Sequence, residues 1–230
     1  MTLFRNWVKS IFELALGLLF PRSSVERALG KLTPAKLRTR FKETINLPNS
    51  GGRALFPYKD KFIREMIWLL KYRENAHALN LFAALLGESI IAECEEILPF
   101  CANPRIILVP IPSTNKRVNE RGYNHTLLLS EKMVEVYGRD FFEIAPDILI
   151  FGKEIKRQTS CKNKKEREEN MKGAFTISKN KTNTNFSGRL VVIIDDVSTT
   201  GATFKDAVRA LKTLGAANNP KQIKCFALSH

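Results

Sequence analysis

Cysteine and histidine are scarce in this 230-residue chain, which has four of the first and three of the second. The cysteines are Cys94, Cys101, Cys161 and Cys225, and no two of them have the Cys-x-x-Cys spacing. Structural zinc sites are typically built from several such ligands at short spacing. We therefore expect no zinc and no disulfide framework, and a reducing, cytoplasmic setting.

No hydrophobic run near the N-terminus is long enough to span a bilayer. The apolar run over residues 11–20 is interrupted by Glu13, and no small-x-small cleavage site follows it. An amphipathic helix that packs on the domain or on a partner is expected there, with peripheral membrane contact as the open alternative. The sequence thus predicts no integral membrane association.

Acidic residues and the common nucleotide-binding motifs are also in deficit. The chain has 37 Lys and Arg against 23 Asp and Glu, a net charge of +14, which favours polyanionic partners such as phosphorylated substrates, nucleic acid or a membrane surface. Neither Gly-x-x-x-x-Gly-Lys-Ser/Thr nor Gly-x-Gly-x-x-Gly occurs. A P-loop and a dinucleotide-binding fingerprint are therefore excluded.

The chain divides into a leader and one domain. Residues 1–52 are predicted to begin with a helix that ends at Phe20, before Pro21. A basic segment follows over residues 22–42, and residues 48–52 form a turn-rich end. Residues 53–230 are predicted to form a single domain of ordinary size.

Apolar periodicity in that domain predicts alternating helices and strands. The helices are expected over residues 59–72, 79–98, 124–137 and 202–214, and the strands over residues 105–109, 147–151, 174–177, 190–194 and 222–228. Residues 180–187 are expected to be a polar hairpin or loop. This alternation predicts an α/β fold, with a central, mostly parallel sheet flanked by helices and ligands at the carboxyl ends of the strands.

The most informative segment follows the strand predicted over residues 190–194. Two adjacent acids, Asp195 and Asp196, come at its carboxyl end. A loop of hydroxyl residues and a glycine then leads into a helix: Ser198, Thr199, Thr200, Gly201, Ala202 and Thr203. Helix-start N–H groups and hydroxyls bind phosphate oxygens, and carboxylates accept hydrogen bonds from vicinal ribose hydroxyls. One acid and one threonine would form an ordinary strand-to-helix junction, but a second adjacent acid has no structural benefit, so the segment predicts a sugar-phosphate site.

This segment resembles the phosphoribosyl pyrophosphate (PRPP) signature of type I phosphoribosyltransferases. The resemblance implies the type I phosphoribosyltransferase fold, here with an N-terminal helical extension. It implies that Asp195 and Asp196 contact the ribose 2- and 3-hydroxyls and that the 198–203 loop holds the 5-phosphate. It also implies Mg²⁺ near Asp195 and Asp196, bound together with PRPP.

A second polar cluster follows the strand predicted over residues 105–109. Pro112 and Ser113 form a turn there, and several cations follow, the last of them Arg121. Exposed N–H groups and an arginine would complement a pyrophosphate group. Taken alone, the segment is better explained as a solvated basic turn before a helix cap; beside the acidic pair, Pro112, Ser113 and Arg121 are predicted to face pyrophosphate.

The basic segment over residues 153–172 has no apolar periodicity and is predicted to be a mobile loop. Charge runs are usually solvated faces. A loop of about twenty residues inside a compact domain is, however, more often functional. We expect it to act as a lid over bound PRPP.

Several motifs occur in the order seen in the ComF/GntX family of phosphoribosyltransferase-like proteins: FPY at 56–58, LKY at 70–72, VPIP at 109–112, RGYN at 121–124, RQT at 157–159, Arg167, NMKGAF at 170–175 and the acidic signature. The resemblance covers roughly residues 53–230. Members of that family usually begin with a four-cysteine zinc ribbon. This chain departs from the pattern because residues 1–52 contain no cysteine.

The resemblance implies a PRPP-dependent, Mg²⁺-dependent transferase that moves the 5-phosphoribosyl group to a nitrogen nucleophile and releases pyrophosphate. The alternative is a non-enzymatic competence factor that binds single-stranded DNA on the same fold. The charge favours it, but few aromatic residues interleave the basic segments, so the sequence shows no base-stacking platform. A degenerate fold without a ligand is disfavoured because the acids and hydroxyls are retained. A homodimer and the identity of the acceptor are left open.

Overall fold

The computed structural model describes residues 24–41, 44–47, 51–101, 103–153, 164–214 and 222–230. The described residues contain eight α-helices and eight strands. The helices are α1 (Ser24–Leu29), α2 (Pro34–Arg40), α3 (Lys61–Arg73), α4 (Ala76–Cys94), α5 (Asn115–Arg121), α6 (His125–Tyr137), α7 (Lys164–Met171) and α8 (Ala202–Leu211). The strands are β1 (Ile45–Asn46), β2 (Arg53–Phe56), β3 (Ile106–Pro110), β4 (Phe142–Ile144), β5 (Leu149–Phe151), β6 (Phe175–Ile177), β7 (Leu190–Val197) and β8 (Ile223–Ser229).

Six strands form a central sheet in the order β1–β2–β8–β7–β3–β4. Its strands are parallel except for β1, which pairs antiparallel with β2. Strands β5 and β6 form a separate antiparallel pair. The prediction of an α/β fold with a mostly parallel central sheet flanked by helices is confirmed.

Both faces of the sheet are buried, which is why the central strands read as continuous hydrophobic runs. Successive side chains of a strand point to opposite faces. In β7, Leu190, Val192 and Ile194 pack in a core cluster with α1–α4 and α6. Val191 and Ile193 pack in a second cluster with α8 and the β5–β6 pair.

The main helices begin where side-chain caps are available. Asp60 caps α3 by accepting hydrogen bonds from the N–H groups of Phe62 and Ile63, and Asn75 caps α4 by accepting one from Ala78. Helix α4 is long and apolar enough to cross a membrane by length and composition alone. Its side chains from Ala78 to Cys94 are largely buried against the sheet and α6, which is the environment of a core helix.

Two predictions of local structure are corrected, and β4 is among the elements that were not predicted. The basic segment is not a loop throughout, since Lys164–Met171 is helical and buries Met171; residues 154–163 lie outside the described residues. Helix α5 replaces the basic turn expected before Asn124. Strand β4 was not predicted, because it is a three-residue edge strand with a charged centre.

Part of the leader packs in the domain core. Val25 and Leu29 of α1 and Leu37 of α2 are buried in the cluster that contains α3 and α4. The domain boundary at residue 52 stays a prediction. The helix predicted before Pro21 lies outside the described residues.

Candidate functional site

A cavity of about 1020 Å³ opens at the carboxyl ends of β3 and β7. The chain segment after β3 lines one side of it, the acids and hydroxyls after β7 line another, and the β5–β6 pair supplies an apolar wall with Phe151 and Phe175. The ligand position expected for a parallel sheet therefore coincides with a real cavity.

The structure brings some of the predicted site residues to this cavity and not others. Those that line it are Asp195, Asp196, Thr199, Thr203, Pro112 and Ser113. Those that do not line it are Ser198, Thr200, Gly201, Ala202 and Arg121. The predicted roles of both groups stay predictions.

The 198–203 loop is organised by its own backbone. Gly201 has φ +75°, a left-handed conformation that glycine adopts without strain, and it is the N-cap of α8. The Thr200 hydroxyl accepts a hydrogen bond from the N–H of Ala202 at 3.3 Å. Because the first-turn N–H groups of a helix lack intrahelical partners, this arrangement turns a positive helix end toward the side of the cavity that Thr199 and Thr203 line.

The two adjacent acids face opposite sides of the sheet. Asp196 follows the alternation of Ile194 and lies on the face of α3 and α6, whereas Asp195 lies on the face of Ile193. The N–H of Asp196 donates to Asp195 Oδ1 at 2.8 Å, and the N–H of Val197 donates to Asp196 Oδ1 at 2.6 Å. The pair is thus one residue apart in sequence but in two environments.

Asp196 is held by basic side chains from two helices. Its Oδ2 atom contacts the Lys71 amino group and lies 2.6 Å from His125 Nε2. Arg121 Nη1 lies 3.4 Å from His125 Nδ1, and Arg121 Nη2 donates to the Tyr72 hydroxyl at 3.0 Å. We call Lys71, Arg121 and His125 the basic cluster. Arg121 therefore reaches the acidic pair through His125 and does not line the cavity itself.

The two acids differ in their pKa values. Burial, and then the neighbouring charge of Asp196, raise the pKa of Asp195 to about 8. Burial alone would also raise the pKa of Asp196, but Lys71 and then His125 outweigh it and hold that pKa well below its usual range. At neutral pH Asp196 is therefore ionised, while Asp195 is mostly protonated.

The turn after β3 is fixed by the start of α6. The Asn124 side-chain oxygen accepts hydrogen bonds from the Ser113 hydroxyl at 3.1 Å and the Thr126 N–H at 3.2 Å. Its amide nitrogen donates to the Ile111 carbonyl at 3.2 Å. The expected helix cap at Asn124 is confirmed, and it also holds the Pro112–Ser113 turn in place.

Asp206 joins α8 to the chain beside the cavity, and sequence reasoning missed it. Its carboxylate oxygens accept hydrogen bonds from the N–H groups of Gly173 and Phe175, both at 2.8 Å, and Arg209 Nε donates to it at 2.7 Å. These contacts fix the α7–β6 junction, and β6 pairs with β5 on the other side of the basic segment.

Lys71 and His125 were also missed as site residues. Both stand in or beside motifs that the ComF resemblance had marked, LKY at 70–72 and RGYN at 121–124. The family motifs point to these parts of the chain, but no known sequence spacing connects Lys71 or His125 with an acid that lies 71 or more residues away. Their role becomes visible only when α3 and α6 pack on the same face of the sheet.

Within the described ranges, no group of three or more His, Cys, Asp or Glu side chains could hold a metal ion. Mg²⁺ is usually held by one or two carboxylates together with substrate phosphates and water. Since Asp196 already contacts two basic side chains, Asp195 is the carboxyl group of the pair that would be left to hold a magnesium ion, once it has released its proton.

Two curated proteins are similar to this chain. It is 26% identical over 180 residues to competence protein ComFC of Bacillus subtilis (strain 168). The aligned region covers 78% of this chain and 65% of that protein. It is 31% identical over 110 residues to competence protein F of Haemophilus influenzae. That aligned region covers 47% of this chain and 44% of that protein. The chain thus spans less than two thirds of the length of either relative, and no protein-family model matches it. These two similarities support membership of the ComF family.

Proposed function

We propose that the protein binds PRPP in the cavity and transfers its 5-phosphoribosyl group to a nitrogen nucleophile, on a type I phosphoribosyltransferase fold. One observation carries the proposal: a single cavity is lined by the acidic pair, by hydroxyls at a helix start and by a turn beside basic side chains. PRPP has vicinal hydroxyls, a phosphate and a pyrophosphate, so each part of it has a matching part of the site. The names of the two relatives support a competence-related role for this activity or binding.

In this proposal the ligand spans the cavity. The 5-phosphate lies at the 198–203 loop, where Thr199 and Thr203 donate hydroxyls. The ribose hydroxyls lie at Asp195 and Asp196, and the pyrophosphate lies at the Pro112–Ser113 turn. The cavity volume of about 1020 Å³ leaves room for an acceptor against the apolar wall of β5 and β6.

The proposed reaction is a displacement at ribose C1. The C1–O bond breaks and pyrophosphate leaves with the electron pair, while the nitrogen lone pair forms the new C1–N bond and the nitrogen releases a proton to solvent. Positive charge develops on the ribose as the bond breaks, and the ionised Asp196 stabilises it electrostatically. Mg²⁺, when bound, supplies charge neutralisation on the leaving group. The protein otherwise acts by holding the reacting atoms in line and excluding water.

Calorimetry with PRPP and Mg²⁺ tests this function. The Asp195→Asn/Asp196→Asn double variant should bind PRPP at least about 30-fold more weakly, because hydrogen bonds to charged groups are lost at two positions. Asp140→Asn is a matched control, since Asp140 is exposed and does not line the cavity. The proposal fails if the unaltered protein does not bind PRPP, or if the double variant binds it as the control does.

A second candidate function has a specific observation in its favour. Trp68 and Tyr72 lie one turn apart on α3, are 45% and 52% exposed, and have ring centroids 5.6 Å apart. The guanidinium of Arg73 lies 5.8 Å from the Trp68 ring, and that of Arg121 lies 4.6 Å from the Tyr72 ring. Exposed aromatic rings beside arginines bind unpaired bases. This pair is the stacking platform that the sequence did not reveal, and it supports single-stranded DNA binding.

Fluorescence anisotropy with a labelled thymidine oligonucleotide tests the second function. Removing both rings in Trp68→Ala/Tyr72→Ala should weaken binding about 10- to 100-fold at constant salt, because each stacked base contributes on the order of 1–3 kcal/mol. Phe100→Ala removes an 85% exposed ring elsewhere and should change little. Equal affinity of the double variant and the control would reject the platform as a DNA site.

A further inference from the structure

Lys71 contacts Asp196 and also lines the cavity. Its amino group contacts Asp196 Oδ2, and Lys71 is itself part of the cavity lining, with a side chain that is 19% exposed. A lysine ammonium has three donors. One donor is directed to Asp196. Because Lys71 also lines the cavity, an anionic ligand in the cavity can accept a hydrogen bond from a second donor.

The end of α3 that carries Lys71 is tied to the chain segment that follows the Pro112–Ser113 turn. The Tyr123 hydroxyl donates to the Leu70 carbonyl at 2.6 Å, and Arg121 Nη2 donates to the hydroxyl of Tyr72. Both flanking residues of Lys71 are therefore fixed by the α5–α6 segment. Lys71 and the Pro112–Ser113 turn, at which the pyrophosphate is proposed to lie, line the same cavity.

Asp196 and His125 fix the position of that ammonium. Asp196 Oδ1 is already taken by the Val197 N–H, so the Oδ2 atom is the one that meets Lys71 and His125. A carboxylate held at both oxygens is a rigid anchor, and a lysine side chain that is anchored has little rotamer freedom left to lose on binding.

We propose that Lys71 binds the pyrophosphate group of the ligand, and that Asp196 and His125 are positioning residues that hold its ammonium there. This inference rests on the proposed PRPP function and adds a binding residue to it. It also gives Asp196 a second role beside its proposed contact with the ribose, which is to hold Lys71.

Calorimetry with two ligands, PRPP and ribose 5-phosphate, tests the inference at a fixed Mg²⁺ concentration. Lys71→Met keeps most of the side-chain length but removes the charge. PRPP affinity should fall about 10- to 100-fold, while ribose 5-phosphate affinity should fall less than about threefold, because only PRPP has the pyrophosphate. Lys132→Met is the matched control, since Lys132 also pairs with a carboxylate but does not line the cavity.

Three further variants test the positioning. If Asp196 acts on the pyrophosphate through Lys71, the ratio of PRPP affinity to ribose 5-phosphate affinity in the Lys71→Met/Asp196→Asn double variant should match that of Lys71→Met alone, to within about twofold. His125→Leu should weaken PRPP binding, and His125→Gln, whose amide can still donate to Asp196, should restore at least half of the lost binding free energy.

The possible failures are distinguishable. Absence of PRPP binding by the unaltered protein overturns the proposed function. If the unaltered protein binds PRPP but Lys71→Met binds it as Lys132→Met does, the function stands and the role of Lys71 is overturned. An equal loss of PRPP and ribose 5-phosphate in Lys71→Met, with an unchanged unfolding midpoint, also overturns the assignment to pyrophosphate.

Discussion

The 198–203 loop and the basic cluster both belong to the cavity region, but they are assembled differently. The loop is built from consecutive residues that follow one strand and begin one helix. The basic cluster gathers Lys71 from α3, Arg121 from α5 and His125 from α6 around Asp196 of β7. A local element keeps its shape through its own backbone, whereas the cluster exists only when the tertiary structure is complete. We expect interactions between distant segments to contribute more to stability than those inside the loop.

The largest expected effect is at another contact between distant segments, Asp206. Asp206→Ala would leave the N–H groups of Gly173 and Phe175, together with Arg209, without their buried carboxylate. We expect a loss of about 3 kcal/mol in the free energy of unfolding, measured by urea denaturation. Lys205→Ala, at the exposed neighbouring position, should stay within about 0.5 kcal/mol. A loss below about 1 kcal/mol for Asp206→Ala would mean that α8 and β6 are held mainly by apolar packing.

The next effect concerns the pH dependence of the acidic pair. Because the pKa of Asp195 is raised to about 8, the folded protein keeps a proton that the unfolded chain has released, and stability falls as pH rises from about 4 to about 8. Asp195→Asn removes this loss, so its free energy of unfolding should exceed that of the unaltered protein at pH 8, and the excess should shrink as the pH falls to 4.

Asp196 should show the opposite sign. Because the pKa of Asp196 is lowered in the folded protein, its ionisation stabilises the fold at every pH above the ordinary carboxyl pKa. This stabilisation is lost as the pH falls from that ordinary pKa to the pKa of Asp196 in the folded protein. Asp196→Asn should therefore be less stable than the unaltered protein at pH 7 and should approach it in acid. Urea unfolding of both variants at pH 2, 4, 6 and 8 checks the signs, since the Asp196 contribution is lost only below about pH 4; parallel pH profiles for the two variants would contradict the asymmetry.

The smallest effect compares a contact between two chain segments, at Asn124, with a contact inside the 198–203 loop, at Thr200. Asn124→Ala removes the hydrogen bonds that join α6 to Ser113 and Ile111, and we expect a loss of about 2 kcal/mol. Thr200→Ala removes one long hydrogen bond inside the loop and should cost about 0.5 kcal/mol. The difference of about 1.5 kcal/mol can be measured from urea midpoints. Equal losses would show that the loop depends on its side chains as much as the turn does.

The same contrast explains what the sequence could predict. The strand before Asp195, the helix at Ala202 and the cap at Asn124 are signalled by neighbouring residues, and the structure has all three. Lys71 and His125 carry no such signal, because their partner is distant in sequence and either residue on a helix is ordinarily solvated. The sequence predicts a loop where helix α7 forms, because this charged segment has little apolar periodicity and Met171 is its main buried side chain.

The alternation of β7 has a consequence for insertions and deletions. Asp195 and Asp196 face opposite sides of the sheet, so a shift of the strand by one residue would exchange their surroundings. The acid that now meets Lys71 and His125 would move to the face of Phe204. Asp195 or Val197, according to the direction of the shift, would take its place beside Lys71 and His125. The length of the chain between Leu190 and Val197 is therefore fixed more strictly than the identity of any one apolar residue in it.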